Sequence, residues 1–390
     1  ERTWVKFHFK SDQGISNLSD KEAEVIIGKD RESHHADLFN AIETGNNPTW
    51  KMKIQVMTQE QAEAVAADGD VVYVEQDSYF SVAETDAVNG KSEGVPWGLN
   101  QLAGESGRYA PAYNGTGVNI YILSTGVNAQ NKEIQTRVGR GVNVGYASPW
   151  LAGLLGESQP GLLMRLLGRE TQVAKPESTG DCHGHGTRMA TIAAGSSLGA
   201  APMANIRPVK VLGCDGKGAA SGVLQALEWL YSRYQRPAVM LMPFSGGKSK
   251  VVDAGVRNLL HKDVLTIAAA GDSGKDACEV SPAGVRPLLT VGGYSEFGSL
   301  SKQTNTGSCV DLILPGTSID SSNHKNIRQL TSGSSAAAAY TAGIAAQFRE
   351  THGREAKLTV LRRLNEQVAS VVLDIEGKPT AVNTLLVPLR

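Results

Sequence analysis

The alternation of short apolar segments with helical segments from Pro96 onward constrains the fold of this chain most strongly. Strands are predicted at 118–123, 206–212, 238–243, 263–269 and 288–292, and helices at about 186–195, 220–234, 250–261, 335–351 and 356–367. Apolar strands that are separated by helices are typical of a parallel sheet covered on both faces. We therefore predict an α/β fold, a doubly wound parallel sheet, with its ligands at the carboxyl ends of the strands.

The first 80 or so residues have a different pattern. Strands are predicted at 3–9, 50–57 and 70–77, with room for another near 20–27, and helices at 35–45 and 58–69. The second helix begins with Thr58 and Gln61 in capping-box positions and stops at Gly69. This order predicts a small α+β unit. The polar, glycine-containing stretch 84–95 that follows it indicates a linker or an exposed loop.

Composition narrows the classes of function. The formal net charge is -1, which does not favour nucleic acid or an anionic membrane surface as a partner. No apolar run reaches the length of about 18 residues that a transmembrane helix needs. Two N-glycosylation sequons begin at Asn17 and Asn114. The chain begins at Glu1 without a charged-then-apolar leader, so we expect that any secretion signal has already been removed. The four cysteines allow three pairings, with free buried thiols as the alternative.

Three short motifs carry residue types suited to chemistry with a serine nucleophile. An apolar strand ends in Ser124, His185 begins a helix in GHGT (184–187), and Ser335 begins another in SGSSAA (332–337). An imidazole serves as a general base, and backbone N–H groups at a helix start stabilise an oxyanion. The alternatives are a structural histidine and a small polar helix start before core alanines. A metal pair of His183 and His185 is disfavoured, because no companion ligands appear.

These motifs, together with YILSTG (121–126), resemble those of the subtilisin-like serine peptidases, and within them the proteinase K branch. The resemblance runs through the chain in the order of the family. It implies a subtilisin-like doubly wound parallel sheet, preceded by a small α+β (ferredoxin-like) pro-segment. The implied divisions are an inhibitory pro-segment at 1–83, a linker or processing region at 84–95 and a peptidase domain at 96–390.

Within this family, the segments CHGHGT, VLGCDGKGAASG and GSCVDLILPG are similar to those of a secreted proprotein convertase. With the cysteines in corresponding places, this resemblance implies the disulfide pairs Cys182–Cys214 and Cys278–Cys309. Each would close a loop of about 30 residues and contribute roughly 3–4 kcal/mol on the loop-entropy model.

Several residues depart from the family pattern at the expected active site. Ser124 stands at the position of the triad aspartate, and a hydroxyl cannot carry the charge that stabilises an imidazolium. Asp272 stands at the position of the oxyanion asparagine, and an ionised carboxylate only accepts hydrogen bonds. Arg188 replaces a histidine after the His-Gly-Thr motif. Asp181 matches a different acidic position of the family and does not replace the missing aspartate.

An insert at about 146–178 lies between the first strand and the histidine helix. It contains two short apolar patches within 148–170, broken by Pro160-Gly161. One interpretation is an exposed docking surface for a partner or lipid. The other, which we favour, is a loop that folds onto its own domain, and it could also cover the cleft.

Two classes of function follow from these observations. We favour a secreted pseudopeptidase, inactive or very weakly active, whose own pro-segment fills the cleft and whose surface binds a protein partner or receptor. The alternative is a serine endopeptidase that is active or self-processing through His185 and Ser335. In both cases we expect an extracellular monomer with no cofactor, no nucleic acid partner and no transmembrane segment. Structural calcium is left open.

Overall fold

The structure of the chain is a computed structural model. It describes residues 3–5, 23–29, 51–57, 59–67, 73–84, 87–91, 95–103, 109–144, 173–174, 179–301, 303–352, 368–375 and 378–385. The helices predicted at 35–45 and 356–367, the sequon at Asn17 and the apolar patches at 148–170 lie outside the described residues.

The helices and strands of the described residues are numbered along the chain. The helices are α1 (Gln59–Ala66), α2 (Trp97–Leu102), α3 (His185–Ala194), α4 (Ala220–Arg233), α5 (Lys250–Leu260) and α6 (Ser334–Thr351). The strands are β1 (Thr3–Val5), β2 (Ala23–Lys29), β3 (Lys51–Met57), β4 (Tyr73–Gln76), β5 (Tyr79–Val82), β6 (Val88–Asn89), β7 (Asn119–Ser124), β8 (Gly141–Asn143), β9 (Val173–Ala174), β10 (Asn205–Lys210), β11 (Lys217–Ala219), β12 (Ala238–Met242), β13 (Phe244–Gly247), β14 (Val264–Ala269), β15 (Val280–Ser281), β16 (Leu289–Tyr294), β17 (Leu312–Pro315), β18 (Ile319–Ser322), β19 (Arg328–Thr331), β20 (Val368–Ile375) and β21 (Lys378–Leu385).

The largest sheet has the strand order β17-β16-β14-β12-β7-β10-β8-β9. Its neighbouring strands pair in parallel, except for the edge strand β9, which is antiparallel to β8. The α/β prediction is confirmed, and the five predicted strands lie within a few residues of β7, β10, β12, β14 and β16. The chain adds strands to both sides of β7, which makes the end of β7 a switch point where ligands bind in such sheets.

Both faces of this sheet are covered by helices. In β7, Ile120 and Ile122 point to one core with α3 and α6, whereas Tyr121 and Leu123 point to a second core with α4 and α5. All residues of β7 are buried. Since burial of a large aliphatic side chain stabilises a fold by about 1.5–3 kcal/mol, these two cores fix the position of the strand that carries Ser124.

The amino-terminal part has a separate sheet, in which β2 pairs antiparallel with β1, β3 and β4. Helix α1 lies between β3 and β4 in the chain. Strand β5 follows after two residues and joins a different sheet, in the order β11-β5-β13-β15. The chain therefore leaves its first sheet and inserts β5 between two strands of the larger part.

Two disulfide bonds connect loops of the larger part. Cys182 is bonded to Cys214, and Cys278 to Cys309, with Cα–Cα distances of 5.1 and 5.2 Å. They are the pairs that the resemblance implies. Cys182 lies three residues before His185, so the first bond restrains the loop that leads into α3.

Gly126 permits a close approach of two chain segments beside Ser124. It has a φ of +98°, and an added Cβ would lie 2.3 Å from the carbonyl oxygen of Thr179. Gly117 is a matched control, because it has a φ of +78° and no atom within 4 Å of an added Cβ. Both positions carry the cost of a left-handed conformation for alanine, but only Gly126 adds a backbone clash.

We predict that Gly126→Ala lowers the free energy of unfolding by at least about 2 kcal/mol more than Gly117→Ala does. Chemical denaturation of the two variants measures the difference. Equal losses in the two variants would contradict the close approach at Gly126.

Candidate active site

Ser124 and His185 meet at the carboxyl end of β7. Ser124 is the last residue of β7, His185 is the first residue of α3, and both are fully buried. Gly184 precedes α3 with a φ of +107°, a conformation that glycine adopts at little cost. Ser124 Oγ lies 2.7 Å from His185 Nδ1, within hydrogen-bond distance. The Nδ1 nitrogen of the imidazole therefore meets a hydroxyl group.

Asp181 stabilises the turn into α3. Its Oδ1 accepts hydrogen bonds from the N–H groups of His183 (3.0 Å) and Gly184 (2.7 Å). Its Oδ2 accepts from the N–H (2.9 Å) and the hydroxyl (2.7 Å) of Thr187. The carboxylate is thus used by the helix start, and its described bonds do not reach the imidazole.

The environment of His185 disfavours a positive charge on its ring. Burial lowers the pKa of His185 well below its ordinary value, and the charges of Arg188 and His183 lower it further, against an opposing effect of Asp181. Among the described residues, its Nε2 has no hydrogen-bond partner. The Oε2 atom of Glu84 lies 3.7 Å from this nitrogen. Burial and the neighbouring cation Arg188 therefore favour the neutral imidazole.

Ser335 is the second residue of α6 and is fully buried. Its hydroxyl donates a hydrogen bond to the carbonyl oxygen of Pro243 at 2.8 Å, rather than to the imidazole. Its backbone N–H donates to the carbonyl oxygen of Ala83 at 3.2 Å. The hydroxyl proton thus points away from the candidate base, while the N–H group contacts a peptide carbonyl.

Asp272 lies against the amino terminus of α6. Both of its carboxylate oxygens accept from the N–H of Ser334 at 3.0 Å, and Oδ2 also accepts from the hydroxyl of that residue. Burial raises the pKa of Asp272 to about 6, the bonds from Ser334 oppose the rise, and the charge of Glu84 adds to it. A Cβ built on Gly333 would lie 2.8 Å from the Ala83 oxygen and 3.0 Å from Asp272 Oδ2, so the carboxylate lies near that carbonyl.

Residues 79–84, here called the cleft segment, occupy the space in front of these groups. Strand β5 pairs antiparallel with β11 on one side and β13 on the other. The N–H of Val82 donates to the Gly216 oxygen at 3.0 Å, and that of Ala83 to the Pro243 oxygen at 3.4 Å. Phe80 is fully buried and packs edge-on against Phe244, with ring centroids 5.7 Å apart. These contacts hold the main chain of the cleft segment so that the Ala83–Glu84 peptide bond lies beside Ser335.

Two acidic residues just before the cleft segment bind helix amino termini. Asp77 accepts from the N–H of Ser221 at 3.0 Å and from its hydroxyl at 2.6 Å, at the start of α4. Glu75 accepts from the N–H of Val251 at 3.4 Å, at the start of α5. Each side chain thus accepts from an N–H group that has no partner within its own helix. These bonds attach the end of the first part to the larger part.

A model of the Subtilase family matches residues 115–374, which is 260 of the 390 residues. The chain belongs to the subtilase family. A catalase family model also matches residues 1–79, about a fifth of the chain, which is too short a match to establish membership.

Two curated relatives of this subtilase are peptidases. The alkaline serine exoprotease A of Vibrio alginolyticus is 31% identical over 75% of this chain and 50% of its own length. The extracellular serine proteinase of Thermus sp. (strain Rt41A) is 30% identical over 76% of this chain and 65% of its own length. The chain thus spans half to two thirds of these relatives.

A solved structure of similar fold is that of a cold adapted subtilisin-like serine proteinase. It has a TM-score of 0.65 and 29% identity, and the match covers 76% of this chain and 99% of that one. The parallel sheet and its covering helices are therefore those of the family.

Other expectations for this subtilase concern metals and membranes. Within the described residues, no three His, Cys, Asp or Glu side chains are grouped so that they could hold a metal ion. None of the helices in the described part of the chain is long and apolar enough to cross a bilayer.

Sequence reasoning missed one ion pair of the site. Glu84 begins the polar stretch 84–95. Its side chain is buried and binds Arg188 with both oxygens, at 2.9 Å (Nε) and 2.7 Å (Nη2). The two residues are separated by 104 positions, so no local pattern relates them. An arginine at position 188, where the family pattern has a histidine, could have indicated an acidic partner, because a buried cation needs an anion.

The raised pKa of Asp272 predicts a pH dependence of stability. The folded state keeps the proton on the Asp272 carboxyl up to a higher pH than the unfolded chain does. The protonated carboxyl therefore contributes fully to the free energy of unfolding below about pH 4, and this contribution is lost as pH rises through about 6. A shift from 3.8 to about 6 corresponds to a loss of about 3 kcal/mol at most.

Asp272→Asn removes this titration, so the stability of the variant relative to the unmodified chain should increase between pH 4 and pH 7. The comparison isolates Asp272 from Glu75, whose pKa is raised by burial to about 7 and which titrates in both proteins. Denaturation at several pH values measures the effect. Parallel curves for the two proteins would contradict it.

Proposed function

We propose that this chain is a secreted pseudopeptidase of the subtilase family, inactive or very weakly active, which acts by binding a protein partner. The observation that carries the proposal is the 2.7 Å contact between Ser124 Oγ and His185 Nδ1. A general base in this family needs a fixed negative charge at that nitrogen, because the charge orients the ring and stabilises the imidazolium. A hydroxyl supplies no such charge.

The oxyanion side supports the same proposal. In an active subtilase, a side-chain amide donates a hydrogen bond to the oxyanion beside the N–H of the nucleophile. Here the corresponding group is Asp272, whose carboxylate is already used as an acceptor by Ser334. When ionised, it repels a developing negative charge.

The expected losses in turnover favour inactivity over sustained proteolysis. Loss of the triad aspartate reduces turnover by about 10⁴-fold, and loss of an oxyanion donor by about 10²–10³-fold. From a typical turnover of about 10 s⁻¹, the two together leave about 10⁻⁵ to 10⁻⁶ s⁻¹. One cleavage at this rate takes roughly a day or longer. Because such losses are not additive, this turnover is an order of magnitude.

The cleft segment supports a role for the first part of the chain as its own inhibitor. Its main-chain pairing with β11 and β13, and the contact of the Ala83 carbonyl with the Ser335 N–H, resemble the binding of a substrate strand. A peptide held in this way excludes other peptides from the same groups. Binding of a partner would then use the outer surface, as the sequence resemblance to a secreted proprotein convertase, proprotein convertase subtilisin/kexin type 9, implies.

Secretion is supported by the similarity to the extracellular serine proteinase of Thermus and by the two disulfide bonds, which form in oxidising compartments. Glycosylation at Asn17 and Asn114, and a monomeric state, remain predictions.

A second candidate function is favoured by the same placement of the cleft segment. The Ala83–Glu84 bond lies where a scissile bond would lie, with its carbonyl 3.2 Å from the Ser335 N–H. A serine endopeptidase that cuts only itself at this bond is therefore the alternative.

We predict that a fluorophosphonate probe does not label Ser335, and that the secreted chain keeps an intact Ala83–Glu84 bond for at least several hours. Mass spectrometry and amino-terminal sequencing measure both. Ser124→Asp combined with Asp272→Asn should raise cleavage at this bond by about 10⁴-fold or more, because it restores the charge and the donor.

The control adds Ser335→Ala to the double variant, which should abolish the cleavage. Rapid cleavage of the unmodified chain between residues 80 and 95, lost in Ser335→Ala alone, would support the self-processing alternative and reject the pseudopeptidase.

A further inference from the structure

The pair of Glu84 and Arg188 is built into the cleft beside the candidate nucleophile. The exposed fraction is 8% for the Arg188 side chain and 3% for the Glu84 side chain. The guanidinium binds the carboxylate through two parallel bonds, and Thr331 donates its hydroxyl to Glu84 Oε1 at 2.8 Å. Bidentate pairing of this kind combines strength with directional selectivity.

The local backbone leaves room for the guanidinium. A Cβ on Gly184 would lie 2.8 Å from Arg188 Nη1, so glycine at this position lets the side chain reach the cleft. Gln329 Oε1 accepts from the same nitrogen at 3.4 Å and helps to orient it. The Arg188 side chain therefore has a hydrogen-bond partner outside the cleft segment, Gln329, besides its two bonds to Glu84.

Among the described residues, Glu84 is the acidic side chain that forms an ion pair with Arg188. A buried guanidinium without an anion is strongly unfavourable. The cleft is therefore complementary to a peptide strand that provides a carboxylate next to the Arg188 guanidinium. Glu84 follows the Ala83 carbonyl that contacts the Ser335 N–H, so the place is the first residue after the aligned peptide bond.

We infer that Arg188 and Thr331 form a subsite that selects an acidic residue, Glu or Asp, directly after the peptide bond aligned with Ser335. The ligand class is a peptide strand with an acidic residue directly after the peptide bond that lies beside the Ser335 N–H. Glu84 occupies the subsite within the same chain. The inference deepens the proposed function, since it rests on the proposal that the cleft binds peptide strands, but it does not require that the chain be inactive.

The test measures how well the cleft holds different residues at position 84. The full chain carries Ser335→Ala, so that hydrolysis does not contribute, and hydrogen exchange is followed at the N–H groups of Val82 and Ala83. We expect protection to fall in the order Glu, Asp, Gln, Lys at position 84, with exchange in Glu84→Gln faster by about 10²-fold. Exchange in β7 reports that the larger part stays folded.

A reversal of charge separates selectivity from a merely structural bond. In Arg188→Glu, the cleft segment should exchange fast, and adding Glu84→Arg should restore protection by at least about tenfold. The matched control is Asp311→Asn, which removes an ion pair with Arg286 outside the cleft and should leave Val82 and Ala83 unchanged.

Equal protection with Glu, Gln and Lys at position 84, or no recovery in the charge-reversed chain, would overturn the subsite. Such a result leaves the proposed inactivity standing if the native chain keeps its Ala83–Glu84 bond. Conversely, cleavage of the native chain would reject inactivity without affecting the selectivity at position 84.

Discussion

A charge that is removed from water needs a partner of opposite charge, and this constraint organises the groups around His185. Arg188 is buried and has Glu84 as its partner. Asp272 is partly buried and accepts bonds from Ser334, at the amino terminus of a helix. The imidazolium form of His185 would be buried beside Arg188 and would meet only a hydroxyl at Nδ1. The Glu84 carboxylate, 3.7 Å from Nε2, is already paired with Arg188, and no charged group of the described residues contacts Nδ1.

The same constraint links the site to the first part of the chain. The larger part supplies the anchoring groups, which are the helix amino termini bound by Asp77 and Glu75 and the strands β11 and β13 that pair with β5. The cleft segment supplies the carboxylate that neutralises Arg188. Withdrawal of the cleft segment would leave the edges of β11 and β13 without a partner strand and Arg188 without its anion. Both effects favour the segment in the cleft.

Local sequence patterns predicted much of this fold. The apolar runs that became β7 and β12 are continuous and buried on both faces, and the helix start at His185 is set by flanking glycines. The positions of His185 and Ser335 at the starts of α3 and α6 followed from motifs of a few residues.

The remaining parts depend on contacts between distant residues. The stretch 84–95 is polar, and polarity alone predicts exposure, but its first residue is buried by an arginine 104 positions away. The hydrogen bond from Ser335 to Pro243 likewise joins residues 92 positions apart. Neither contact has a periodic or local signature, so both required the folded chain.

The protonation state of His185 tests the central claim most directly. Nitrogen chemical shifts of its ring, assigned with a His185→Gln variant, distinguish the neutral imidazole from the imidazolium between pH 7.5 and pH 5. The account predicts a neutral ring throughout this range, because burial and Arg188 oppose the charge. An imidazolium that forms at any pH within this range would contradict it.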